Sequence, residues 1–120
     1  MNSTLPQVLA SEIAGNRARL HFKIGRDIEY FQGHFDSFAI LPGVAQISWV
    51  IHYSKEYFEV DGNARGLDNI KFLKPIEPDS RVWLELNYNR EKQVVDFEFI
   101  ASDLNEKVSM GRILLEAGRI

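Results

Sequence analysis

The chain has 120 residues, 45% of them apolar, with 14 Lys and Arg against 17 Asp and Glu for a net charge of -3. This is the size and balance of one globular domain over residues 1–120, not of a disordered chain. It contains no cysteine, which excludes disulfides, thiolate metal sites and a cysteine nucleophile. Neither sign of charge gathers into a run, so nucleic-acid binding is disfavoured. No stretch offers about 18 consecutive apolar residues, and the first ten residues lack a secretory pattern, so a soluble cytoplasmic protein with no membrane insertion is expected.

In chain order, Gln7 to Ile13 reads as a weak strand and Arg17 to Ile24 as a strong one. In the latter Ala18, Leu20, Phe22 and Ile24 alternate with Arg17, Arg19, His21 and Lys23, the period-two pattern of a strand with one wet face. Gly15-Asn16 between them tolerates positive φ and predicts a hairpin. His21, on the polar face, is expected to be structural or merely exposed.

From Val44 to Phe58 the apolar residues follow no period of two and neither Pro nor Gly intervenes, which predicts a helix over about 43 to 58. Ser48, His52, Lys55 and Glu59 recur at intervals of three and four and form one polar stripe, leaving most of the circumference to be wrapped. Trp49, Tyr53, Tyr57 and Phe58 are then expected as core or subunit contacts.

Strand signals return after Ala64: Asn69 to Leu73, then Val82, Leu84, Leu86 and Tyr88 in alternation, then Val95, Phe97 and Phe99, then a last strand near Val108 to Glu116. Pro75 and Pro78, Asn89 to Lys92 and Asp103 to Lys107 supply the breaks. Five or six strands joined by short loops pair antiparallel, and a single apolar helix is covered if that sheet curls around it. The expected class is α+β.

One segment is unlike ordinary strand or helix sequence: Gly33-His34-Phe35-Asp36-Ser37-Phe38-Ala39-Ile40-Leu41-Pro42-Gly43-Val44-Ala45-Gln46-Ile47. A Gly-His-Phe followed eight residues after the histidine by Pro-Gly-Val, leading into an apolar helix, resembles the signature of the hotdog-fold 3-hydroxyacyl-[acyl-carrier-protein] dehydratases. Ile40 to Ile47 is most similar to their short branch associated with aryl polyene synthesis. Asn69-Ile70-Lys71-Phe72-Leu73-Lys74-Pro75-Ile76 resembles the family's strand after the helix.

The resemblance implies a hotdog domain, dimeric or of higher order, with its site at the subunit boundary. It implies a 3-hydroxyacyl thioester of acyl carrier protein or coenzyme A as substrate, elimination of water to the trans-2-enoyl thioester, and no cofactor or metal. His34 corresponds to the family's base, since an imidazole titrates near operating pH and can take the proton beside a thioester carbonyl. The Gly43 amide, at the positive end of the helix dipole, corresponds to the group that polarises that carbonyl. Phe35, Leu41, Pro42, Val44 and His52 are implied as substrate contacts.

The family carries a Glu or Asp from the partner subunit fourteen residues after the histidine; here that position is Ser48. A serine hydroxyl can hold a hydroxyl or a water but is too weak an acid to donate a proton at neutral pH. Loss of one general acid costs about 10²- to 10⁴-fold, or roughly 3 to 5 kcal/mol of barrier. His34 doing both jobs with Ser48 as a helper that holds the hydroxyl, or His52 as a second donor one turn on, are the ways around it. Two family prolines are also replaced, by Asp36 and Ala39. Thioester hydrolysis using Asp36 is one alternative, because fold does not fix function. A non-catalytic acyl-thioester binding module is another, and Ser48 is the feature that favours it. The three histidines are not spaced to share a metal. Arg65, Lys71 and Lys74 would suit an acidic carrier protein if they cluster.

Overall fold

The computed structural model describes residues 4–28, 40–60 and 63–116. Gly33, His34, Phe35, Asp36 and Ala39 lie outside the described residues. Six strands and one helix follow in order: β1 (Gln7–Ala14), β2 (Arg17–Lys23), α1 (Gly43–Phe58), β3 (Ala64–Phe72), β4 (Arg81–Asn89), β5 (Val94–Ala101) and β6 (Glu106–Leu115). They form one antiparallel sheet in the order β1-β2-β4-β5-β6-β3.

The strong alternations give the best-formed strands. Ala18, Leu20 and Phe22 of β2, Val82, Leu84 and Leu86 of β4, and Phe97 and Phe99 of β5 are all buried. Register aligns them in rows, Leu20 with Leu84, Phe99 and Ser109, and Ala18 with Leu86, Phe97 and Gly111. The hairpin closes with Ala14 opposite Arg17. Of the two turn residues only Gly15 takes a positive φ, at 59°, the pattern of a type II′ turn with glycine at its first central position.

Helix α1 runs as its pattern predicts, although Val44, Ile47, Val50 and Ile51 are weak helix formers. Packing supplies the stability that propensity does not. Ala45, Trp49, Val50, Tyr53 and Phe58 are buried, Trp49 meeting Phe22 of β2 edge to face at 6.0 Å. Trp49 Nε1 also donates to the Thr4 carbonyl at 2.8 Å, tying the helix to the chain start. Ser48, His52, Lys55 and Glu59 are exposed, as the polar stripe requires.

The expected short strand at Asn69 to Leu73 proves longer, beginning at Ala64. The early half carries no alternation because β3 is an edge strand with most of its residues in solvent and two register shifts against β6. Asn69 adopts φ 52° at the second shift. This bulge drops Ile70 onto Gly111 of β6, where a Cβ would lie 3.1 Å from Ile70 Cα and 3.0 Å from Phe97 Cε2. Glycine at 111 is what lets the edge strand settle on the sheet.

Outside, the sheet carries ion pairs between strands, Arg19 with Glu85 at 3.1 Å and Arg112 with Asp96 at 2.7 Å. His21, expected to be structural or merely exposed, has the structural role: it is stacked on Trp83 with ring centroids 4.3 Å apart and its Nε2 is 2.8 Å from Ser102 Oγ. Burial, then the charges of Arg81 and Arg19, hold its pKa below the ordinary 6.5. Among the described residues no helix is long and apolar enough to cross a membrane.

Candidate functional site

The start of α1 is the part of the motif the structure describes. Pro42 precedes the helix at φ -60° and ψ 150°, makes no side-chain cap, and leaves the first turn without an acidic residue. Its carbonyl accepts from the Ala45 and Gln46 amides at 3.1 and 3.2 Å. The Gly43 and Val44 amides have no carbonyl one turn earlier in the helix to bond, and they have no partner among the described residues. Two N–H groups at the positive end of a helix dipole can stabilise developing negative charge on an oxygen.

Three contacts fix this turn. The Leu41 amide donates to the Ile76 carbonyl at 2.7 Å. Ser109 Oγ on β6 donates to Gln46 Oε1 at 2.6 Å, with both residues buried. Gln46 Nε2 reaches back to the Leu41 carbonyl at 3.5 Å. A buried amide linking helix start, preceding loop and sheet holds the Pro42-Gly43 turn in place, because breaking it strands polar groups in the core. Sequence reasoning missed this pair, though its signal was present. Gln46 precedes Trp49 and Val50 by three and four residues on the apolar face, and Ser109 falls in period two with Gly111 and Ile113.

Gly43, whose amide the motif assigns to the thioester carbonyl, is also tightly packed on its Cα side. What a Cβ there would meet is the Phe72 ring of β3, at 2.5 Å from Cζ and 2.7 Å from Cε2. Phe72, itself half exposed, therefore covers the helix start. Leu41 is buried in the core at 2%, Pro42 is partly buried, and Val44 is 73% exposed. Val44, Ile40, Phe72 and Leu73 are all substantially exposed apolar residues of this end of the helix and the strand beside it.

Ser48 and His52 follow Val44 on the same exposed line of α1. His52 Nε2 lies 3.4 Å from Glu56 Oε2, and the Tyr53 ring meets the imidazole edge-on at 4.8 Å. Burial, then Glu56 and Tyr57, push the Tyr53 hydroxyl up to about 12, so it stays protonated at neutral pH. Lys55 turns away to Asn63 Oδ1 at 3.2 Å.

The three cations considered for a carrier-protein patch do not cluster. Arg65 and Lys71 stand about 20 Å apart along β3 at the usual rise per residue. Arg65 Nε is taken by the Leu115 carbonyl at 3.2 Å and Lys74 pairs with Glu106 at 2.6 Å. Open grooves of about 710 and 730 Å³ lie elsewhere, one across Arg19, Glu85 and Arg112, the other by His21, Ser102 and Lys74. No residue of α1 lines either. Among the described residues no group of three or more His, Asp or Glu is placed to hold a metal ion.

Known proteins agree with the motif. The family described as ApeI-like, ApeI dehydratase, matches residues 10–112. A 3-hydroxyacyl-[acyl-carrier-protein] dehydratase FabZ from Erythrobacter litoralis is 32% identical over 76 residues, 56% of this chain and 50% of that one. The FabZ of Bacillus subtilis is 30% identical over 68% of this chain and 62% of its own. The chain thus spans between half and two thirds of these relatives' length. A chain of the dehydratase heterocomplex ApeI:P from Xenorhabdus doucetiae superposes with a TM-score of 0.85 at 28% identity, covering 92% of this chain and 97% of that chain. Motif, helix start, sheet order and family match converge: the chain belongs to the ApeI-like dehydratase family and has its hotdog fold.

Proposed function

We propose that this chain, as one hotdog domain over residues 1–120, removes water from 3-hydroxyacyl thioesters of acyl carrier protein or coenzyme A in the cytoplasm, giving the trans-2-enoyl thioester. The observation that carries this is the family motif, whose helix half presents two uncapped amides beside Gly43. In this reading His34 removes the proton next to the thioester carbonyl, and the Gly43 amide stabilises the charge that develops on its oxygen. Phe35, Leu41, Pro42 and Val44 shape the acyl path, and Ser48 holds the 3-hydroxyl.

The functional unit is a homodimer joined through β3, with the site between subunits. Supporting this, β3 has one paired edge, to β6, and Leu67 is 51% exposed, Phe72 50% and Leu73 54%. Exposed apolar groups in such number beside an open strand edge favour coverage by a partner. The ApeI:P relative is a heterocomplex, so sedimentation of the purified chain, alone and at several concentrations, is the check. A dimer supports the homodimer, and a monomer at all concentrations points to a different partner chain.

Ser48 favours a second reading, an acyl-thioester binding module without turnover. One assay separates the possibilities, following enoyl absorbance and free thiol together on 3-hydroxyacyl thioesters of several chain lengths. Enoyl formation without thiol release is the expected result. Thiol release would indicate a thioesterase, and saturable binding with neither product a binding module.

A further inference from the structure

The cations considered on β3 are scattered, whereas those of β2 share one face. Each outward residue of this strand, Arg17, Arg19, His21 and Lys23, carries a basic side chain, and register places Arg81 of β4 directly opposite Lys23. We propose that the Lys23–Arg81 end of this outer face is the docking surface for an acidic protein, the acyl carrier protein that brings the thioester. The inference rests on the dehydratase reading above and narrows its carrier from two to one.

Like charges directly opposite each other on paired strands destabilise a sheet. Elsewhere on the outer face cations meet carboxylates, Arg19 with Glu85, Lys107 with Glu98 and Arg112 with Asp96. Lys23 and Arg81 are both exposed, and among the described residues neither forms an ion pair. Asp79, in the loop before β4, is taken by Arg26 at 2.6 Å. After burial, the charges that lower the His21 pKa are those of Arg81 and Arg19, so positive charge prevails at this end. An anionic partner offsets such a pair, and opposite charge across an interface steers the encounter. Arg19 lies over the Trp83 ring at 4.0 Å and His21 is stacked on it, which orders the face before a partner arrives.

The position suits a substrate carried on a tether. The Ile24 amide, next to Lys23, donates to the Ser80 carbonyl at 2.9 Å, and the Leu41 amide, just before Pro42, donates to the Ile76 carbonyl at 2.7 Å. Ile76 and Ser80 are four residues apart, a span of at most about 14 Å. One short loop therefore links the Lys23–Arg81 pair to the start of α1, where the Gly43 amide stands. In the sheet order β5 and β6 lie between β4 and β3, so a dimer joined through β3 leaves this face open.

The test titrates the purified full chain with acyl carrier protein at low salt, and measures dehydration of one 3-hydroxyacyl group on the carrier protein and on coenzyme A. The variants are Lys23→Glu with Arg81→Glu and, for the same change in net charge at the far end of β4, Arg90→Glu with Lys92→Glu. Lys23→Gln with Arg81→Gln replaces the first pair if charge reversal disturbs folding. In the Lys23 and Arg81 pair, carrier-protein binding weakens at least about tenfold and KM for the carrier-protein substrate rises in step, while kcat/KM for the coenzyme A substrate is unchanged. Added salt weakens binding by the parent much more than by that pair. Unchanged binding, or an equal loss in Arg90→Glu with Lys92→Glu, would overturn the surface. An equal loss on the coenzyme A substrate would assign the cations to a phosphate group and overturn it as well. A parent that dehydrates the coenzyme A substrate and binds no carrier protein would overturn the docking surface while the dehydratase function stands. Absence of enoyl product from both substrates would remove that function, and the titration would then decide the docking surface by itself.

Discussion

Strands β4 and β3 belong to one sheet and differ in almost every respect. In β4 the residues alternate strictly, Val82, Leu84, Leu86 and Tyr88 facing the core and Arg81, Trp83, Glu85 and Asn87 facing away, with partners on both edges. In β3 most residues are exposed, the register shifts twice, and Leu67 and Phe72 present apolar side chains to solvent. The first strand is completed by its own chain. The second has a single paired edge among the described residues and lies beside the helix start, where Phe72 meets Gly43. Stability is concentrated on one side of the sheet and proposed catalysis on the other.

The largest effects expected are in the completed part. Leu84→Ala, at a fully buried site, should cost about 2 to 5 kcal/mol in urea unfolding. Leu67→Ala, half exposed, should change stability by under about 0.5 kcal/mol at concentrations too low for association. Equal costs would erase the contrast between the strands.

Glycines sharpen it at the next scale. Gly111→Ala should cost about 1 to 3 kcal/mol, since the added carbon meets Phe97 and the backbone of Ile70. Gly66→Ala in β3, whose Cβ would rest 3.4 Å from Leu114 Cδ1, should stay within about 1 kcal/mol. Leu67→Asp should leave the unfolding midpoint of dilute protein near the parental value and weaken self-association in sedimentation. A dimer as tight as the parent's would move the interface off β3.

The smallest expected effect lies on the outer face. Because the His21 pKa is lowered below 6.5 in the folded protein, the unfolded chain takes up this proton first on acidification. Stability contributed by the neutral ring is complete above pH 6.5 and is lost as pH falls below it. His21→Gln should flatten the stability profile in that acid range and leave it unchanged above. An unchanged acid slope would show that His21 titrates alike in both states.

The contrast also explains what the sequence made legible. Alternation in Arg17 to Ile24 and Val82 to Tyr88 reports a sheet with one wet face, and the long apolar run from Val44 reports a helix to be enclosed, so the architecture followed from periodicity. The motif at Gly33 to Ile47 carried the family. The early half of β3 was not legible, because a bulged edge strand has neither a single wet face nor a regular register. The Phe72 cover on Gly43, the Gln46–Ser109 bond and the Glu56 contact to His52 join residues whose meeting depends on packing or side-chain conformation. The contacts of Gly43 and Gln46 form only once α1 is seated on the sheet, whereas Glu56 follows His52 by one turn and that contact needs the helix alone.

The most direct test of the central claim, that this family member dehydrates 3-hydroxyacyl thioesters with serine at position 48, is the initial rate of enoyl formation by the parent and His34→Ala side by side. The account predicts measurable turnover by the parent that is abolished in His34→Ala. No turnover by the parent at any chain length, or an undiminished rate in His34→Ala, would contradict it.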